Sequence, residues 1–206
     1  MKILHITITL CFLVMLAACS SGPTKKRHAS LDKKEVYQPA LYNLEEEPQD
    51  AFVDPDVFFN FLLTSVDYND KQMALIELGK QYLGSAYVFG GASPNAGGFD
   101  CSGFTQYVYQ NSLNMSLPRR SRDMATVGIP VEYYQIKAGD LVFFNTLGAD
   151  YSHVGIYIGD GMFFHASPSW GSIVIADMTK EYFTKRYNGA RRVLKLSDNP
   201  NILAAN

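Results

Sequence analysis

The stretch GFDCSGF, at residues 98–104, places a single cysteine between an acidic residue and a serine. Asp100 is of a type that commonly caps a helix N-terminus, so the sequence predicts a helix that begins beside Cys101 and covers residues 100–111. A thiol in the first turn of a helix gains acidity from the N–H groups that point at it. The stretch therefore predicts a reactive cysteine at a helix start.

The N-terminus predicts export. Residues 1–18 combine Lys2 with a short apolar run, which is typical of a signal peptide. The sequence Leu-Ala-Ala-Cys that ends at Cys19 resembles the lipobox of bacterial lipoproteins, which implies acylation of Cys19 and anchoring to a membrane. Ser20 follows, which favours the outer membrane, facing the periplasm. The alternative is an ordinary signal peptide followed by an incidental cysteine.

The three cysteines of the chain then have different fates. Cys11 leaves with the signal peptide, and Cys19 carries the lipid. Cys101 remains as the single thiol in a compartment where thiols tend to be oxidised, and it has no partner for an internal disulfide. It is either a small buried apolar residue or a residue kept for its chemistry.

The composition of the chain limits the classes of protein to which it can belong. Hydrophobic residues make up 47% and aromatic residues 13% of the 206 residues, so a packed core is expected. The formal net charge of −2 argues against a nucleic-acid-binding protein, which is normally basic.

The mature chain divides by composition into four parts. Residues 19–50 are polar and charged and predict a flexible tether. Residues 51–66 form an apolar N-terminal extension, which is either a helix after Pro55 that packs onto the domain or a segment that docks a protein partner or dimerises. Residues 67–197 predict the folded domain, and residues 198–206 a C-terminal tail.

Helical periodicity precedes β periodicity along the domain. Asp70 is expected to cap a helix that runs to Tyr82 and is ended by Gly84. Runs of β-branched and aromatic residues then predict an antiparallel sheet of five strands, at residues 140–145, 153–159, 162–167, 172–176 and 191–196. The pattern predicts an α+β fold in which N-terminal helices pack on a central antiparallel sheet.

Two histidines lie on neighbouring predicted strands. A two-residue loop between these strands would turn His153 and His165 to opposite faces of the sheet. A three-residue loop, Gly159–Gly161, places Gly155 opposite His165 and makes the two histidines diagonal neighbours on one face. We predict the three-residue loop, in which small Gly155 leaves room between the rings.

These residues suit thiol catalysis. Cys101 would attack a carbonyl, His153 would hold the thiolate as an ion pair and protonate the leaving amine, and His165 would orient His153. The Cys101 N–H and the Tyr87 hydroxyl would stabilise the oxyanion. Each histidine alone also fits a core position, and Cys101 with both histidines fits zinc, although the spacing is unlike that of zinc sites. We expect no metal and no cofactor.

Six blocks in order resemble the NlpC-type cysteine peptidases, which have a papain-like fold and cut peptides of bacterial peptidoglycan. The blocks are YVFGG (87–91), FDCSGF (99–104), LPRRS (117–121), AGDLVFF (138–144), HVGIYIG (153–159) and FHAS (164–167). The resemblance covers residues 68–196. With the lipobox and the short tether, the chain is most similar to the murein endopeptidase lipoproteins of Gram-negative bacteria.

The resemblance implies the site residues. It makes Cys101 the nucleophile, His153 the base and His165 the orienting residue. Positions similar to oxyanion or substrate contacts are Tyr87, Asp100, Ser102, Arg119, Arg120 and Ser121. The basic cluster of Arg119, Arg120 and Arg122 is expected to hold a stem-peptide carboxylate bidentately, and a solvated loop with surface arginines is the alternative.

The expected activity is hydrolysis of a peptide bond in peptidoglycan. The bond is either the D-Ala–diaminopimelate crosslink or the D-Glu–diaminopimelate bond of the stem. A non-catalytic peptidoglycan-binding lipoprotein and a thiol acyltransferase on the same fold are the alternatives.

Overall fold

The computed structural model describes residues 46–65, 67–146 and 148–194, with the backbone alone for residues 61–65. The expected signal peptide, the lipid site Cys19, most of the tether and the C-terminal tail lie outside the described residues. In this part of the chain, no helix combines the length and the apolar character needed to cross a membrane.

Five helices and eight strands make up the described fold. The helices are α1 (Pro55–Ser65), α2 (Asp70–Gln81), α3 (Cys101–Leu113), α4 (Ser121–Met124) and α5 (Glu181–Thr184). The strands are β1 (Ala92–Ser93), β2 (Gly98–Phe99), β3 (Ile129–Val131), β4 (Leu141–Phe144), β5 (His153–Gly159), β6 (Met162–Ser167), β7 (Ser172–Asp177) and β8 (Tyr187–Arg192).

The central sheet is antiparallel and has the strand order β3-β8-β4-β5-β6-β7. A small hairpin, β1-β2, leads directly into α3. Each strand alternates its side chains between two faces. The α+β architecture predicted from the sequence is confirmed.

The sheet has an apolar cluster on each face. The main core includes Phe59 of α1, Ile76 of α2 and Phe104 of α3, packed with Ile156 and Phe164 of the sheet. The opposite face carries a smaller cluster that includes Phe144, Phe163 and Phe183 of α5. Because both faces of the central strands are buried, these strands read as nearly continuous apolar runs.

The start of α2 differs from the prediction. Asn69, rather than Asp70, caps the helix: its side chain accepts from the N–H groups of Lys71 and Gln72, and the Gln72 side chain accepts from the Asn69 N–H. Asn and Asp are equally good caps, and the reciprocal bond from Gln72 favours the earlier position.

The last strand also differs. Residues 187–192, and not 191–196, form β8, which pairs with both β4 and β3. Its side chains are mostly half-buried, so it lacks the apolar alternation that reveals a strand in sequence. Strand β3 was not predicted because Pro130 lies at its centre.

The segment before α2 packs onto the domain. Phe58 and Phe59 of α1 are buried in the main core, as the packing alternative for residues 51–66 requires. Glu47 is only 7% exposed, so the packed chain begins before residue 51 and includes residues that composition assigned to the tether.

Both edges of the sheet are covered or interrupted. Along β7, Phe52 forms a bridge with Ala176 and the Val53 N–H donates to Ile175 O at 3.1 Å. Residues 84–87 continue this cover over the first half of β7, where the Gly84 N–H donates to Ile173 O at 2.9 Å. At the other edge, Pro130 in β3 has no N–H to offer.

Candidate active site

Cys101 is the first residue of α3, as predicted, and Asp100 is its N-cap. The Asp100 carboxylate accepts from the Gly103 N–H at 2.6 Å. Cys101 is the free cysteine of the described residues; it is partly exposed and packs against the main core. The N–H of Val154, which follows His153 on β5, donates to the Cys101 sulfur. The thiol therefore lies against the strand that carries His153.

The register of β5 and β6 brings the two histidines together. Ile156 pairs with Phe164 and Tyr157 with Phe163, and the same register puts Gly155 opposite His165, as predicted. The loop itself is different: Asp160 and Gly161 form a two-residue turn, with φ of 51° and 77°, and a register shift between Tyr157 and Gly159 supplies the extra residue.

Position 155 requires glycine, but not because of the space between the histidine rings that the sequence suggested. A Cβ at this position would overlap the Phe163 ring and lie 2.6 Å from the Phe164 carbonyl oxygen. The neighbours that exclude a side chain are therefore residues of β6, and not the two histidine rings.

His153 and His165 form one hydrogen-bonded pair. His153 Nε2 lies 2.9 Å from His165 Nδ1, and the ring planes are nearly perpendicular, at 87°. Both residues are buried, and His165 packs between the rings of Phe163 and Phe183. Because Nε2 of His153 is hydrogen-bonded to His165, Nδ1 is the ring nitrogen that can accept a proton from the thiol.

Burial sets the ionisation of the site. It raises the pKa of Cys101 to about 11 and lowers that of His153 to about 4. Burial, followed by the neighbouring His153, lowers the pKa of His165 well below 6.5. Burial thus favours the neutral thiol and the neutral imidazoles in the free site, and the thiolate–imidazolium pair stays a prediction.

Asp100 and Arg119 form an ion pair beside the thiol. The Arg119 guanidinium donates to both Asp100 oxygens, at 2.7 and 2.9 Å, and to Ser102 Oγ at 2.9 Å. Asp100 raises the pKa of Cys101 and Arg119 lowers it. The Arg119 guanidinium is thus bound to Asp100 in this structure, and its role toward a substrate carboxylate stays a prediction.

The other predicted contact residues are spread around this group. Arg120 is exposed and pairs with Asp123 at 2.8 Å. Ser121 Oγ donates to the Tyr151 carbonyl at 2.7 Å, and Ser102 is buried. Tyr87 is half-buried and packs against the main core. Their roles toward a substrate stay predictions.

One further residue reaches the histidines from outside the predicted domain. Glu47 Oε2 lies 3.7 Å from His165 Nε2, and both side chains are buried. No periodicity or motif indicates this contact, because 118 residues separate the partners along the chain.

Two surface cavities lie apart from these residues. One, of about 530 Å³, is lined by residues that include Asp70, Lys71 and Arg192, and the other, of about 280 Å³, by residues that include Tyr133 and Tyr187. Cys101, His153 and His165 line neither. The described residues also include no cluster of three or more His, Cys, Asp or Glu side chains placed to hold a metal.

Known proteins resemble this chain over most of its length. It is 34% identical over 184 residues to the Escherichia coli murein DD-endopeptidase MepS/murein LD-carboxypeptidase, covering 89% of each chain. It is 41% identical over 119 residues to the Bacillus subtilis gamma-DL-glutamyl hydrolase, covering 57% of this chain and 28% of that protein.

A crystal structure of an NlpC/P60 family protein from Bacillus cereus superposes with a TM-score of 0.55 at 35% identity, over 60% of this chain and 40% of the other. The NlpC/P60 family model matches residues 84–192, which include Cys101, His153 and His165. The chain belongs to the NlpC/P60 family.

Proposed function

We propose that the protein is a cysteine endopeptidase that hydrolyses peptide bonds in peptidoglycan. The observation that carries the proposal is the placement of the Cys101 thiol against the strand of His153, whose ring is hydrogen-bonded to His165. The murein endopeptidase relative at 34% identity supports peptidoglycan as the substrate.

Catalysis begins from the neutral thiol. Cys101 Sγ attacks the carbonyl carbon of the scissile bond while His153 Nδ1 takes the thiol proton, so the S–C bond forms without a free thiolate. The carbonyl oxygen becomes an oxyanion, and the Cys101 N–H, which has no intrahelical acceptor in the first turn of α3, stabilises it. Tyr87 is the candidate for a second donor.

The intermediate then collapses. The C–N bond breaks, and the imidazolium of His153 donates its proton to the leaving amine, which leaves a thioester on Cys101. Water attacks the thioester carbonyl, His153 accepts a water proton and returns it to the sulfur, and the carboxylic acid departs. His165 fixes the ring of His153 through both half-reactions.

The preferred bond is the D-Ala–diaminopimelate crosslink. The DD-endopeptidase relative covers 89% of each chain and supports this bond. The D-Glu–diaminopimelate bond is the second candidate, because the more identical but shorter match is to a gamma-DL-glutamyl hydrolase. We further propose a lipid anchor on Cys19 and a place in the outer membrane, facing the periplasm.

Purified muropeptides of defined structure test the activity. The wild-type chain should cleave a crosslinked dimer into two monomers, seen as products by mass spectrometry, and Cys101→Ala should leave the dimer intact. Cleavage at D-Glu would select the second bond. Cysteine-independent cleavage, or no cleavage of any muropeptide, would contradict the proposal and favour a binding protein; a lipid thioester on Cys101 would favour an acyltransferase.

A further inference from the structure

The segment that precedes α1 places a carboxyl group behind the histidine pair. Glu47 is 7% exposed, and its Oε2 lies 3.7 Å from Nε2 of His165. The segment is held there by neighbouring contacts: Ala51 is buried in the smaller cluster and Phe52 stacks on Trp170 with centroids 4.8 Å apart. Glu47 lies outside the residues matched by the family model, 84–192.

Both groups of this contact need a partner. His165 Nε2 is buried and has no hydrogen-bond partner in the described part of the chain. Glu47 accepts one hydrogen bond, from Ser167 Oγ at 2.7 Å, and the Trp170 N–H in turn donates to that hydroxyl at 3.1 Å. A buried polar atom without a partner is costly, so the carboxylate and the ring nitrogen face each other for a physical reason.

The contact selects a tautomer. A carboxylate accepts hydrogen bonds only, so an ionised Glu47 favours the proton of neutral His165 on Nε2. Nδ1 of His165 is then an acceptor, and the 2.9 Å bond to His153 requires the proton of His153 on Nε2. His153 Nδ1 is left with its lone pair free to accept the proton of Cys101. If His165 carried its proton on Nδ1 instead, it would donate to His153 Nε2. The proton of neutral His153 would then lie on Nδ1, and His153 could not accept the proton of Cys101.

We propose that Glu47 is a positioning residue of the active site, which holds His165 and, through it, His153 in the tautomer that deprotonates Cys101. The inference rests on the proposed function and extends the array of Cys101, His153 and His165 by a fourth member from outside the matched domain.

The ionisation of Glu47 falls in the physiological range. Burial raises its pKa to about 7, although the Ser167 hydrogen bond opposes the shift. The titratable groups that face it are His165 on β6 and, behind it, His153 on β5; α5 contributes the uncharged Phe183. Glu46 and Asp50 on its own segment are exposed, and Asp50 pairs with Lys180 at 3.6 Å. Activity should therefore fall as pH drops through about 7 and Glu47 becomes protonated.

The test compares variants of the chain that lack only the expected signal peptide and carry Cys19→Ala. Glu47→Gln keeps the size of the side chain but offers an N–H to His165 Nε2, which favours the wrong tautomer. Glu47→Asp keeps the charge, and exposed Glu46→Gln is the matched control. The measurements are kcat/KM on a crosslinked muropeptide dimer from pH 5 to 9 and the ¹⁵N shifts of the imidazole nitrogens, which report the tautomers without turnover.

We expect Glu47→Gln to lower kcat/KM at pH 8 by about 10- to 100-fold. The decrease of kcat/KM on acidification through about pH 7 should disappear in this variant. The ¹⁵N shifts of His165 Nδ1 and Nε2 should be exchanged, because the proton moves from Nε2 to Nδ1. Glu47→Asp should recover part of the activity and the wild-type tautomer, and Glu46→Gln should behave as wild type. Unchanged tautomers and an unchanged pH profile in Glu47→Gln would overturn the inference, with the peptidase intact. A wild-type chain that cleaves nothing, yet whose tautomers respond to Glu47→Gln, would instead refute the proposed function alone.

Discussion

At the scale of single residues, the Cys101 thiol lies near two opposite charges, those of Asp100 and Arg119. Asp100 caps α3 and at the same time raises the pKa of the neighbouring Cys101, while Arg119 lowers it. In the bidentate pair between these residues, with its shortest contact at 2.7 Å, the Arg119 guanidinium offsets part of the effect of Asp100 on the thiol. The carboxylate that caps α3 therefore also makes the neighbouring thiol less acidic, and Arg119 limits this effect.

Two substitutions should move thiol reactivity in opposite directions. Asp100→Asn keeps a cap and removes the negative charge, so iodoacetamide should alkylate Cys101 about 2- to 10-fold faster at pH 7.5. Arg119→Gln leaves Asp100 uncompensated and should slow the reaction by a similar factor. Arg120→Gln, which breaks only an exposed pair with Asp123, is the control. Equal rates in all three would show that these charges do not act on the sulfur.

The pH dependence of alkylation distinguishes a neutral resting site from an ion pair. With the pKa of Cys101 raised to about 11 and that of His153 lowered to about 4, the thiolate fraction rises about tenfold per pH unit below pH 10. The alkylation rate of the wild-type chain should therefore climb from pH 6 to 10. A plateau reached below pH 7 would contradict this prediction and favour the thiolate–imidazolium pair.

Sequence predicted the positions of Cys101 and of the histidine pair because their signals are local. A cap residue before Cys101 and a side-chain alternation of two along β5 and β6 suffice to place them. The pairing of Arg119 with Asp100 and the contact of Glu47 with His165 were not predicted, because these partners are distant in sequence and only tertiary packing brings them together. Glu47 reads as one residue of an acidic run in a polar segment.

At the scale of elements, the pairing of β5 with β6 carries the site. The bulge near Ile158 and the tight turn at Asp160-Gly161 together set a register that puts both histidines on one face. Sequence predicted this register from Gly155 and the loop length, although it assigned the extra residue to the loop. Alternation cannot tell a bulge from a longer loop, because both add one residue between the strands.

Gly155→Ala should disturb this element. The added methyl group meets the Phe163 ring and the Phe164 carbonyl, so we expect about 1–3 kcal/mol of destabilisation in urea unfolding and loss of peptidase activity as the histidines separate. Ile173→Val, in buried β7, is a control that should lose a comparable amount of stability and keep activity. Normal activity of Gly155→Ala would show that the strand shifts without moving His153.

At the scale of the whole molecule, buried ionisable groups make stability depend on pH. The unfolded chain ionises Glu47 near pH 4.5, whereas the folded protein holds its proton to about 7. The folded state therefore binds more protons in this window, and the Glu47 contribution to stability falls as pH rises through it. The lowered pKa of His153 acts oppositely, adding stability as pH rises from about 4 to 6.5.

A comparison with Glu47→Gln isolates the carboxyl group. Relative to this variant, the wild-type chain should lose roughly 3 kcal/mol of unfolding free energy between pH 4.5 and 8, because each unit of pKa shift corresponds to about 1.4 kcal/mol. Urea unfolding at several pH values measures the difference, with Glu46→Gln as control. Parallel stability curves for wild type and Glu47→Gln would contradict the raised pKa.

The two edges of the sheet, covered along β7 and interrupted in β3, have a consequence for solubility. A strand at the margin of a sheet normally exposes backbone groups on which another polypeptide can dock, the first step toward fibrils. Here segments of the same chain occupy these groups along β7, and Pro130 interrupts them in β3. The fold thus limits intermolecular β-sheet growth through its own backbone.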